Sequence, residues 1–362
     1  MVINNSIDIF QNFYQGKRVL VTGHTGFKGS WLSIWLNALG AEVIGLALDP
    51  FTERDNYVLS GIKDRIIDLR GDIRDANLVK GIFQKYQPEI VFHLAAQPLV
   101  RLSYEIPMET YAVNVMGTIH VMEAIRITDS VKVAVMITTD KCYENKEQIW
   151  GYRENEPMGG YDPYSSSKGA TEIAIASWRR SFFNPDQYEK HGKSIASVRA
   201  GNVIGGGDWA LDRIIPDCIK ALEADKPIEI RNPKAIRPWQ HVLEPLSGYM
   251  LLASKMWNEP TRYCGGWNFG PHTESIATVW DVASKVIENY GEGGLKDLSD
   301  PNNLHEAKLL MLDISKAKFQ LDWEPRMDIK QTIKMTVDWY KRYKNENTYS
   351  ICIDQINSFI LK

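Results

Sequence analysis

The chain has 362 residues with 45 acidic and 42 basic side chains, and its formal net charge of −3 lies close to neutrality. This length indicates one large domain or two closely joined domains, and the charge excludes a general attraction to nucleic acid or to an anionic membrane. The four cysteines are far apart and form no CxxC pair, which argues against a zinc ribbon, a dithiol centre and a disulfide-rich secreted fold.

The first residues lack the basic segment followed by an apolar segment that is typical of a signal peptide. No stretch approaches the ~20 consecutive apolar residues that a membrane-spanning helix needs. We therefore expect a cytoplasmic protein without a membrane or nucleic-acid partner.

Short apolar runs rich in Val and Ile alternate with helical patterns in the first part of the chain. Strands are predicted over residues 18–22, 42–48, 65–69, 89–95, 131–138 and 194–200, and helices over 27–39, 75–86, 109–127 and 163–184. Such alternation indicates an α/β fold, a Rossmann-type doubly wound parallel sheet.

Beyond residue 200 the pattern changes to a glycine-rich segment followed by helical patterns over 212–224, 242–257, 276–290 and 328–344. We expect this part to form a smaller, interleaved C-terminal substrate-binding lobe. The predicted division assigns residues 1–200, with returning segments near 236–270, to the sheet domain and residues 201–362 mainly to the lobe.

Three glycines, Gly23, Gly26 and Gly29, lie between the first strand and the first helix. They suit a tight turn, a close approach of the backbone to a pyrophosphate, and close packing of the helix on the strand. The alternative is an ordinary turn between a strand and a helix. His24 and Lys28 add potential positive charge to this loop, although Lys28 is expected to extend into solvent from the first helical turn.

Further cofactor contacts are predicted after the next strands. Asp49, after the second strand, can accept hydrogen bonds from ribose hydroxyls and so favours NAD over NADP. Asp72 is placed to meet the adenine, or it caps the following helix, as Asp75 also could. The predicted cofactor-binding set is completed by Phe27, Ile73, Leu94, Ala95 and Ala96.

Tyr164 and Lys168 are four residues apart, which puts the phenol and the ammonium on one face of a helix. We expect Lys168 to lower the pKa of Tyr164, so that the phenolate can act as a base toward a hydroxyl. Both residues are counted as catalytic and as cofactor-binding.

Thr139, Asp140 and Lys141 follow the fifth strand, at the sheet edge where α/β folds bind ligands. Thr139 can hydrogen-bond the reacting hydroxyl, while Asp140 and Lys141 supply an acid–base pair. The alternative is that Asp140 caps a turn and Lys141 is solvated.

These motifs together resemble the extended short-chain dehydrogenase/reductase superfamily. The segments that carry the resemblance are TGHTGFKG (22–29), HLAAQP (93–98), TTDK (138–141), YSSSK (164–168) and RAGNVIGGGDW (199–209). The segments 152–169 and 232–249 further resemble the nucleotide-sugar 4,6-dehydratases that act on CDP-glucose.

The resemblance implies an NAD-dependent internal redox cycle that converts CDP-D-glucose to CDP-4-dehydro-6-deoxy-D-glucose and water. C4 is oxidised with Tyr164 as the base, water is lost across C5 and C6 with Asp140 as the acid, and C6 is then reduced. Lys141 occupies a position where the wider family has Glu. It can be a base only if it is neutral, or it can stabilise an enolate, and its role stays open.

Arginine forks suit phosphate oxygens, so Arg237, with Asn202, is expected to bind the diphosphate of the substrate. Arg213 has a diphosphate role or forms an ion pair, and Gln97 and Arg101 face the sugar or support their loop. Trp239, like Trp209, stacks on the base or packs in the interior.

His93 is expected to be a hydrogen-bonded core histidine, and no metal is predicted. By analogy with the superfamily, the helices over 109–127 and 163–184 are expected to form a homodimer or homotetramer. Competing functions are another nucleotide-sugar dehydratase, epimerase or decarboxylase on the same scaffold, and a non-enzymatic NAD-binding regulator.

Overall fold

The computed structural model describes residues 9–272, 275–299 and 309–362. The strands in these ranges are β1 (Arg18–Thr22), β2 (Glu42–Ala47), β3 (Ile67–Arg70), β4 (Ile90–His93), β5 (Val133–Ile137), β6 (Ser194–Ala200), β7 (Asn202–Ile204), β8 (Ile228–Ile230), β9 (Ile236–His241), β10 (Gly265–Phe269), β11 (Ile276–Thr278) and β12 (Leu295–Asp297).

The helices in these ranges are α1 (Phe27–Ala38), α2 (Asn56–Ser60), α3 (Ala76–Tyr86), α4 (Val100–Glu105), α5 (Pro107–Tyr111), α6 (Thr118–Ile127), α7 (Pro163–Ser181), α8 (Tyr188–His191), α9 (Ile214–Glu223), α10 (Leu243–Asn258), α11 (Val279–Tyr290), α12 (Ser315–Leu321), α13 (Ile329–Arg342) and α14 (Thr348–Ile360). None of the helices in the described ranges is long and apolar enough to cross a membrane.

The central sheet has seven parallel strands in the order β10-β6-β5-β4-β1-β2-β3. The chain reverses its direction of winding between β1 and β4, which creates a crevice at the carboxyl ends of these two strands. The predicted doubly wound sheet is confirmed, and all six predicted strands are present. The seventh strand, β10, lies within the segment that was expected to return to the sheet.

Apolar side chains bury both faces of this sheet. All five residues of β5 are buried, as expected for a parallel strand that is covered by helices on both sides. One face packs against α3 and α6 through residues such as Phe83 and Met122. The other face packs against α1 and α10 through residues such as Trp31 and Leu246. The sheet therefore forms a rigid support for the loops at its carboxyl edge.

Residues beyond β6 build a three-stranded sheet in the order β11-β9-β7 and a two-stranded sheet of β12 and β8. The end of the chain returns to the first helix of the sheet domain. The rings of Trp35 and Phe359 meet edge to face at 5.9 Å, and the hydroxyl of Tyr349 donates to Asn37 Oδ1 at 3.0 Å. The functional division into a cofactor domain and a substrate lobe stays a prediction.

Two predicted helices differ from the structure. The helix predicted over 109–127 is three pieces, α5, a π-helical turn at Ala112–Gly117 and α6. The first residues of the helix predicted over 276–290 form β11 instead, and α11 begins at Val279. Thr278 is the N-cap of α11, and its side chain accepts a hydrogen bond from the backbone N–H of Asp281. Three-residue strands and single π turns are too short for hydrophobic periodicity to reveal them.

Glu244, in the first turn of α10, is a buried carboxylate that supports the fold. Its Oε1 accepts hydrogen bonds from the backbone N–H groups of Arg326 at 2.9 Å and Met327 at 2.8 Å. Its Oε2 is buried without a partner among the described residues. Burial therefore outweighs the two hydrogen bonds and raises the pKa of Glu244 to about 7.

A pH dependence of stability follows from this raised pKa. The folded chain holds the Glu244 proton more tightly than the unfolded chain, so this contribution to stability is lost as the pH rises toward 7. We expect the free energy of unfolding to fall between about pH 5 and about pH 8 by more in the wild type than in Glu244→Gln. Urea titrations at both pH values measure this difference, and equal pH dependence in the two proteins would contradict the assignment.

Candidate active site

The loop between β1 and α1 is packed so tightly that two of its glycines cannot be replaced without a clash. Gly23 has φ +76°, in the left-handed region, and a Cβ there would lie 2.7 Å from the backbone nitrogen of Ala95. A Cβ on Gly29 would lie 2.1 Å from the carbonyl oxygen of Gly23. The loop is thereby fixed against the end of β4.

Gly26 has a different environment, because a Cβ there would meet only the Gly23 carbonyl oxygen, at 3.4 Å. Gly26 is the N-cap of α1, and no side chain caps this helix end. The first N–H groups of α1 and the positive end of its dipole suit a phosphate group. The cradle left by the missing Cβ therefore fits a dinucleotide pyrophosphate, and the side chain of Phe27 packs beside it toward Gly205.

Replacement by alanine is expected to have different effects at Gly29 and at Gly26. Gly29→Ala should lower the thermal midpoint and abolish cofactor retention, because its Cβ clashes with backbone. Gly26→Ala should keep the thermal midpoint of the cofactor-free wild type and lose cofactor affinity, because its methyl group fills the cradle without a backbone clash. Thermal unfolding and a count of cofactor bound per chain distinguish these outcomes. Tight cofactor binding by Gly26→Ala would contradict the placement of the pyrophosphate.

Side chains around the ends of β2 and β3 form a charged cluster at the predicted ribose position. Asp49 is 88% exposed and accepts a hydrogen bond from Arg70 Nε at 3.0 Å. Arg70 also donates to Asp68 at 2.7 Å and to the Tyr57 hydroxyl. An exposed carboxylate at this edge is available to ribose hydroxyls, so the predicted role of Asp49 is compatible with its position.

The expectation that His24 adds positive charge to the glycine loop is wrong. The imidazole is fully buried and its Nε2 is hydrogen-bonded to Asp68 Oδ1 at 2.5 Å. Burial lowers the pKa of His24, although Asp68 opposes this effect. The ring packs against Gly45, where a Cβ would lie 2.5 Å from it, so it supports the sheet from behind the loop.

The alternative reading of Asp72 as a helix cap is wrong, since Asp75 caps α3 by accepting from the N–H groups of Asn77 and Leu78, both at 3.0 Å. Asp72 pairs instead with Arg74 at 2.6 Å.

Three further predicted cofactor contacts, Leu94, Ala95 and Ala96, lie half-buried directly after β4, beside the glycine loop.

Ile73 is buried in the core under α6, where its Cδ1 packs against Gly117. Its side chain therefore lies in the packing around the sheet, and the contact of Ile73 with the cofactor stays a prediction.

Three candidate catalytic groups, Thr139, Asp140 and Tyr164, are buried together at the carboxyl edge of β5. The hydroxyl of Thr139 donates to Asp140 Oδ1 at 3.0 Å and is hydrogen-bonded to the hydroxyl of Tyr164. Asp140 lies against Gly201, where a Cβ would be 2.9 Å from Asp140 Oδ2. The sheet edge and one helix start thus bring an acid, a hydroxyl and a phenol into one cluster.

The start of α7 fixes the phenol. Asp162 caps the helix by accepting from the N–H of Ser165 at 2.9 Å, and Pro163 occupies the first helical position. The backbone N–H of Tyr164 donates to the hydroxyl of Ser103 in α4 at 3.1 Å. Tyr164 is therefore held from two sides.

The expectation that Lys168 lowers the pKa of Tyr164 is wrong for this structure. Burial raises the pKa of Tyr164 to about 12, against the lowering effects of the Thr139 hydrogen bond and the charge of Arg213. Burial also lowers the pKa of Lys168 to about 8. Burial likewise raises the pKa of Asp140, which favours a carboxylic acid that can donate a proton.

The prediction that Lys28 extends into solvent is also wrong. Its side chain is half-buried, and burial lowers its pKa to about 8. The charges that act on it are those of Arg213, Asp140 and Lys168. Lys28 therefore lies on the inner side of the loop, toward the catalytic cluster.

Two arginines that were predicted to bind a diphosphate act electrostatically on this cluster. The charge of Arg213 favours ionisation of Tyr164, and its guanidinium is held by Asp208 at 2.7 Å. The charge of Arg237 favours ionisation of Asp140. Arg237 lies in β9 and Arg213 directly precedes α9, so these two segments bring positive charge close to the catalytic cluster.

Gln97, Arg101 and Lys141 lie around the catalytic cluster. The side-chain amide of Gln97 donates to Leu99 O at 3.1 Å and to Thr110 Oγ1 at 3.0 Å, which favours the loop-supporting alternative. Arg101 lies 3.7 Å from Asp212 at a partly exposed position. Lys141, next to the catalytic cluster, is half-buried.

Asn202 pairs with Trp239 across β7 and β9, and the indole N–H of Trp239 donates to Ala277 O at 3.2 Å. Trp239 is only 7% exposed, so the packing alternative is favoured over base stacking. Trp209 is likewise buried, edge to face with Tyr340 at 5.2 Å.

The prediction of a hydrogen-bonded core histidine is confirmed. His93 Nδ1 lies 2.7 Å from Thr22 Oγ1 and Nε2 lies 3.0 Å from Thr118 Oγ1. Burial lowers the pKa of His93 to about 3. The four cysteines are free thiols, and no group of three or more potential metal ligands was found within the described ranges.

Sequence reasoning missed the buried groups that support this site. Glu172 and Arg199 form an ion pair at 2.8 Å behind the catalytic cluster. Glu172 follows Lys168 by four residues, and this spacing could have placed it on the same helix face. Asn114, in the π-helical turn, accepts from the N–H of Gln97 at 2.9 Å and donates to Ser167 Oγ at 2.8 Å.

Comparisons with known proteins agree with this architecture. The family described as GDP-mannose 4,6 dehydratase matches residues 20–336. A CDP-glucose 4,6-dehydratase from Salmonella typhimurium is 52% identical over 344 residues, covering 95% of this chain and 96% of that protein.

Solved structures agree in fold. The dTDP-glucose 4,6-dehydratase from Bacillus anthracis in complex with NAD has a TM-score of 0.75 at 22% identity, covering 91% of this chain and 98% of that chain. The UDP-glucose 4-epimerase from Thermus thermophilus in complex with NAD also has a TM-score of 0.75, at 25% identity, covering 91% of this chain and 99% of that chain. The resemblance inferred from the motifs is confirmed, and the chain belongs to the GDP-mannose 4,6 dehydratase family.

Proposed function

We propose that the protein converts CDP-D-glucose to CDP-4-dehydro-6-deoxy-D-glucose and water, with NAD as its resident cofactor. The observation that carries this proposal is the contact between an acid-favouring Asp140, Thr139 and Tyr164 at one sheet edge. An epimerase needs no acid for the 6-hydroxyl, so Asp140 favours dehydration. The likeness to the Salmonella typhimurium enzyme supports CDP-glucose as the substrate.

NAD would be held by the glycine cradle of Gly23, Gly26 and Gly29, with Asp49 at the ribose. When bound, it supplies a nicotinamide that accepts a hydride from C4 of the sugar and returns it to C6, so net redox is zero. We assign cofactor binding to residues 1–200 with the returning segments near 236–270, and substrate binding mainly to residues 201–362.

The protein's own residues move the protons. Tyr164 accepts the O4 proton in its phenolate form, which the Thr139 hydrogen bond and the charge of Arg213 favour against the effect of burial. Thr139 hydrogen-bonds the same substrate oxygen and orients it. The resulting ketone acidifies the C5 proton. Asp140 then donates a proton to the leaving 6-hydroxyl, for which its raised pKa suits it. Lys141, half-buried beside Asp140, takes the C5 proton in its neutral form and returns it to C5 when C6 is reduced. In its charged form it stabilises the enolate, and another group takes and returns that proton.

Cations around the cluster meet the charge of the substrate. Arg213 and Arg237 are assigned to the diphosphate, since guanidinium forks match phosphate oxygens. This pairing explains how a chain with a net charge of −3 binds a doubly anionic sugar nucleotide through a few placed donors.

We also propose that the protein is a cytoplasmic homodimer or homotetramer. Large apolar side chains are exposed on α5, the π-helical turn and α7, with Met108 87%, Met116 48% and Ile173 58% exposed. These helices include the pair that was expected to dimerise. The free thiols suit a reducing compartment.

A substrate panel tests the proposed function. CDP-, dTDP-, UDP- and GDP-glucose are incubated with the purified protein, and bound cofactor is released and counted. We expect 4-keto-6-deoxy sugar from CDP-glucose without added cofactor beyond the counted NAD. Failure to turn over CDP-glucose, with conversion of UDP-glucose to UDP-galactose, would instead establish a 4-epimerase.

A further inference from the structure

A buried ion pair lies one helical turn beyond Lys168 on α7. Arg199 of β6 donates from Nε to Glu172 Oε1 at 2.9 Å and from Nη2 to Glu172 Oε2 at 2.8 Å. The two side chains are 5% and 3% exposed, and both oxygens of Glu172 and all three guanidinium nitrogens of Arg199 are hydrogen-bonded within the protein, which leaves neither group available to the substrate. Tyr164, Lys168 and Glu172 follow one another at intervals of four residues and share one face of the helix.

The pair holds the catalytic segment at both of its ends. Glu172 accepts a hydrogen bond at 2.5 Å from the hydroxyl of Thr138, the residue directly before Thr139. Arg199 Nη1 donates at 2.5 Å to the hydroxyl of Tyr143, directly after the turn Asp140–Cys142. The Tyr143 hydroxyl in turn donates to Asn268 in β10 at 2.8 Å. The segment from Thr139 to Cys142 is therefore tied to α7, β6 and β10.

The carboxylate of Glu172 is saturated by three donor residues, because Ser197 of β6 adds a hydrogen bond at 2.8 Å to those from Thr138 and Arg199. A buried ion pair of this kind is weak evidence for stability, since well-packed apolar residues can replace such a pair without loss. What apolar residues cannot reproduce is the directed set of hydrogen bonds to Thr138 and Tyr143.

The pair also acts on the charge of Lys168. The ionisable groups that face Lys168 are Glu172 of its own helix, Cys142 of the turn after β5, Lys28 of α1 and His93 of β4. Among them the Glu172 carboxylate is the largest influence that raises the pKa of Lys168, against the lowering effect of burial.

We propose that Glu172 and Arg199 are positioning residues that set the distance between Thr139–Asp140 on the sheet edge and Tyr164–Lys168 on α7. The proposal rests on the proposed function, because it concerns the geometry of that same site. It explains why three separate elements converge on two charges that never reach the substrate.

Two variants test this role. Glu172→Gln removes the charge but leaves Arg199 buried without its partner, so the double variant Glu172→Gln/Arg199→Met removes both charges together. In each variant we expect kcat for CDP-glucose to fall by about 10²-fold and KM to stay within about threefold, because displaced catalytic groups cost turnover more than binding. We also expect the alkaline limb of the kcat profile to move to lower pH, because Lys168 loses the carboxylate that raises its pKa.

Glu244→Gln is the control, since it makes the same substitution at a buried glutamate that accepts two backbone hydrogen bonds away from the catalytic cluster. It should alter the stability of the protein and leave kcat and its pH profile unchanged. A purely structural role for Glu172 would give the same pattern as this control.

Hydrogen exchange of the backbone amides of Thr139, Asp140 and Tyr143 separates this proposal from the proposed function. Faster exchange in the double variant, at an unchanged thermal midpoint, supports positioning whatever substrate the wild type uses. A wild type that turns over no CDP-glucose overturns the proposed function alone. A double variant with wild-type exchange, kcat and pH profile overturns the positioning role.

Discussion

Tyr164→Phe is expected to lower turnover of CDP-glucose by about 10²–10⁴-fold, the usual contribution of a positioned acid–base group. The substitution keeps the buried ring and removes only the hydroxyl that is hydrogen-bonded to Thr139. Loss of one such hydrogen bond costs about 1 kcal/mol of stability, so the fold is retained. Steady-state kinetics with CDP-glucose and a count of bound NAD measure the effect.

Tyr14→Phe is the matched control for this substitution. Tyr14 is also buried, and its hydroxyl donates to the carbonyl oxygen of Met250 at 2.6 Å. We expect a similar loss of stability and wild-type turnover. Full turnover by Tyr164→Phe would exclude Tyr164 as the base. Full biological activity of this variant without turnover would instead indicate a non-enzymatic NAD-binding regulator, and the proposed enzyme would be excluded.

Asp140→Asn should separate the two halves of the reaction. The amide keeps the size of the side chain and still accepts the Thr139 hydrogen bond, but it cannot give a proton to the departing 6-hydroxyl. We expect formation of 4-keto-6-deoxy sugar to fall by about 10²–10⁴-fold while oxidation at C4 continues. Quenching with borodeuteride should then yield glucose and galactose labelled at C4 that retain their 6-oxygen.

Binding provides the internal control for Asp140→Asn, since KM for CDP-glucose should stay within about threefold of the wild type. Undiminished formation of the 4-keto-6-deoxy sugar would exclude Asp140 as the acid. Loss of both the deoxy sugar and the C4 label would place Asp140 in the oxidation step instead.

The sequence predicts the central sheet well because β1 to β6 are apolar runs that alternate with amphipathic helices. It predicts the lobe less well, because strands such as β7 and β11 have three residues and carry no measurable period. The π-helical turn at Ala112–Gly117 was not predicted for the same reason. Local pattern thus specifies long elements, while short ones depend on the tertiary contacts around them.

The positions of Thr139, Asp140 and Tyr164 were predictable, because each follows a strand end or opens a helix. The pKa values at the site were not predictable from the sequence, because they depend on burial. Burial raises the pKa of Tyr164 and lowers the pKa of Lys28, whose side chain lies on the inner side of the glycine loop. Glu172 and Arg199 come from separate elements, so their ion pair exists only once the sheet and α7 have packed together. The pKa values and ion pairs of the site therefore depend on tertiary packing and cannot be predicted from local sequence.

The fate of the hydrogen on C4 of the sugar tests the proposed reaction most directly. CDP-glucose carrying deuterium at C4 is converted by the protein with no external reductant, and the product is examined by NMR and mass spectrometry. Our account predicts that the deuterium is recovered at C6 of the 4-keto-6-deoxy product. Deuterium that is released to the solvent, or that stays on C4 of an epimerised sugar, would contradict it.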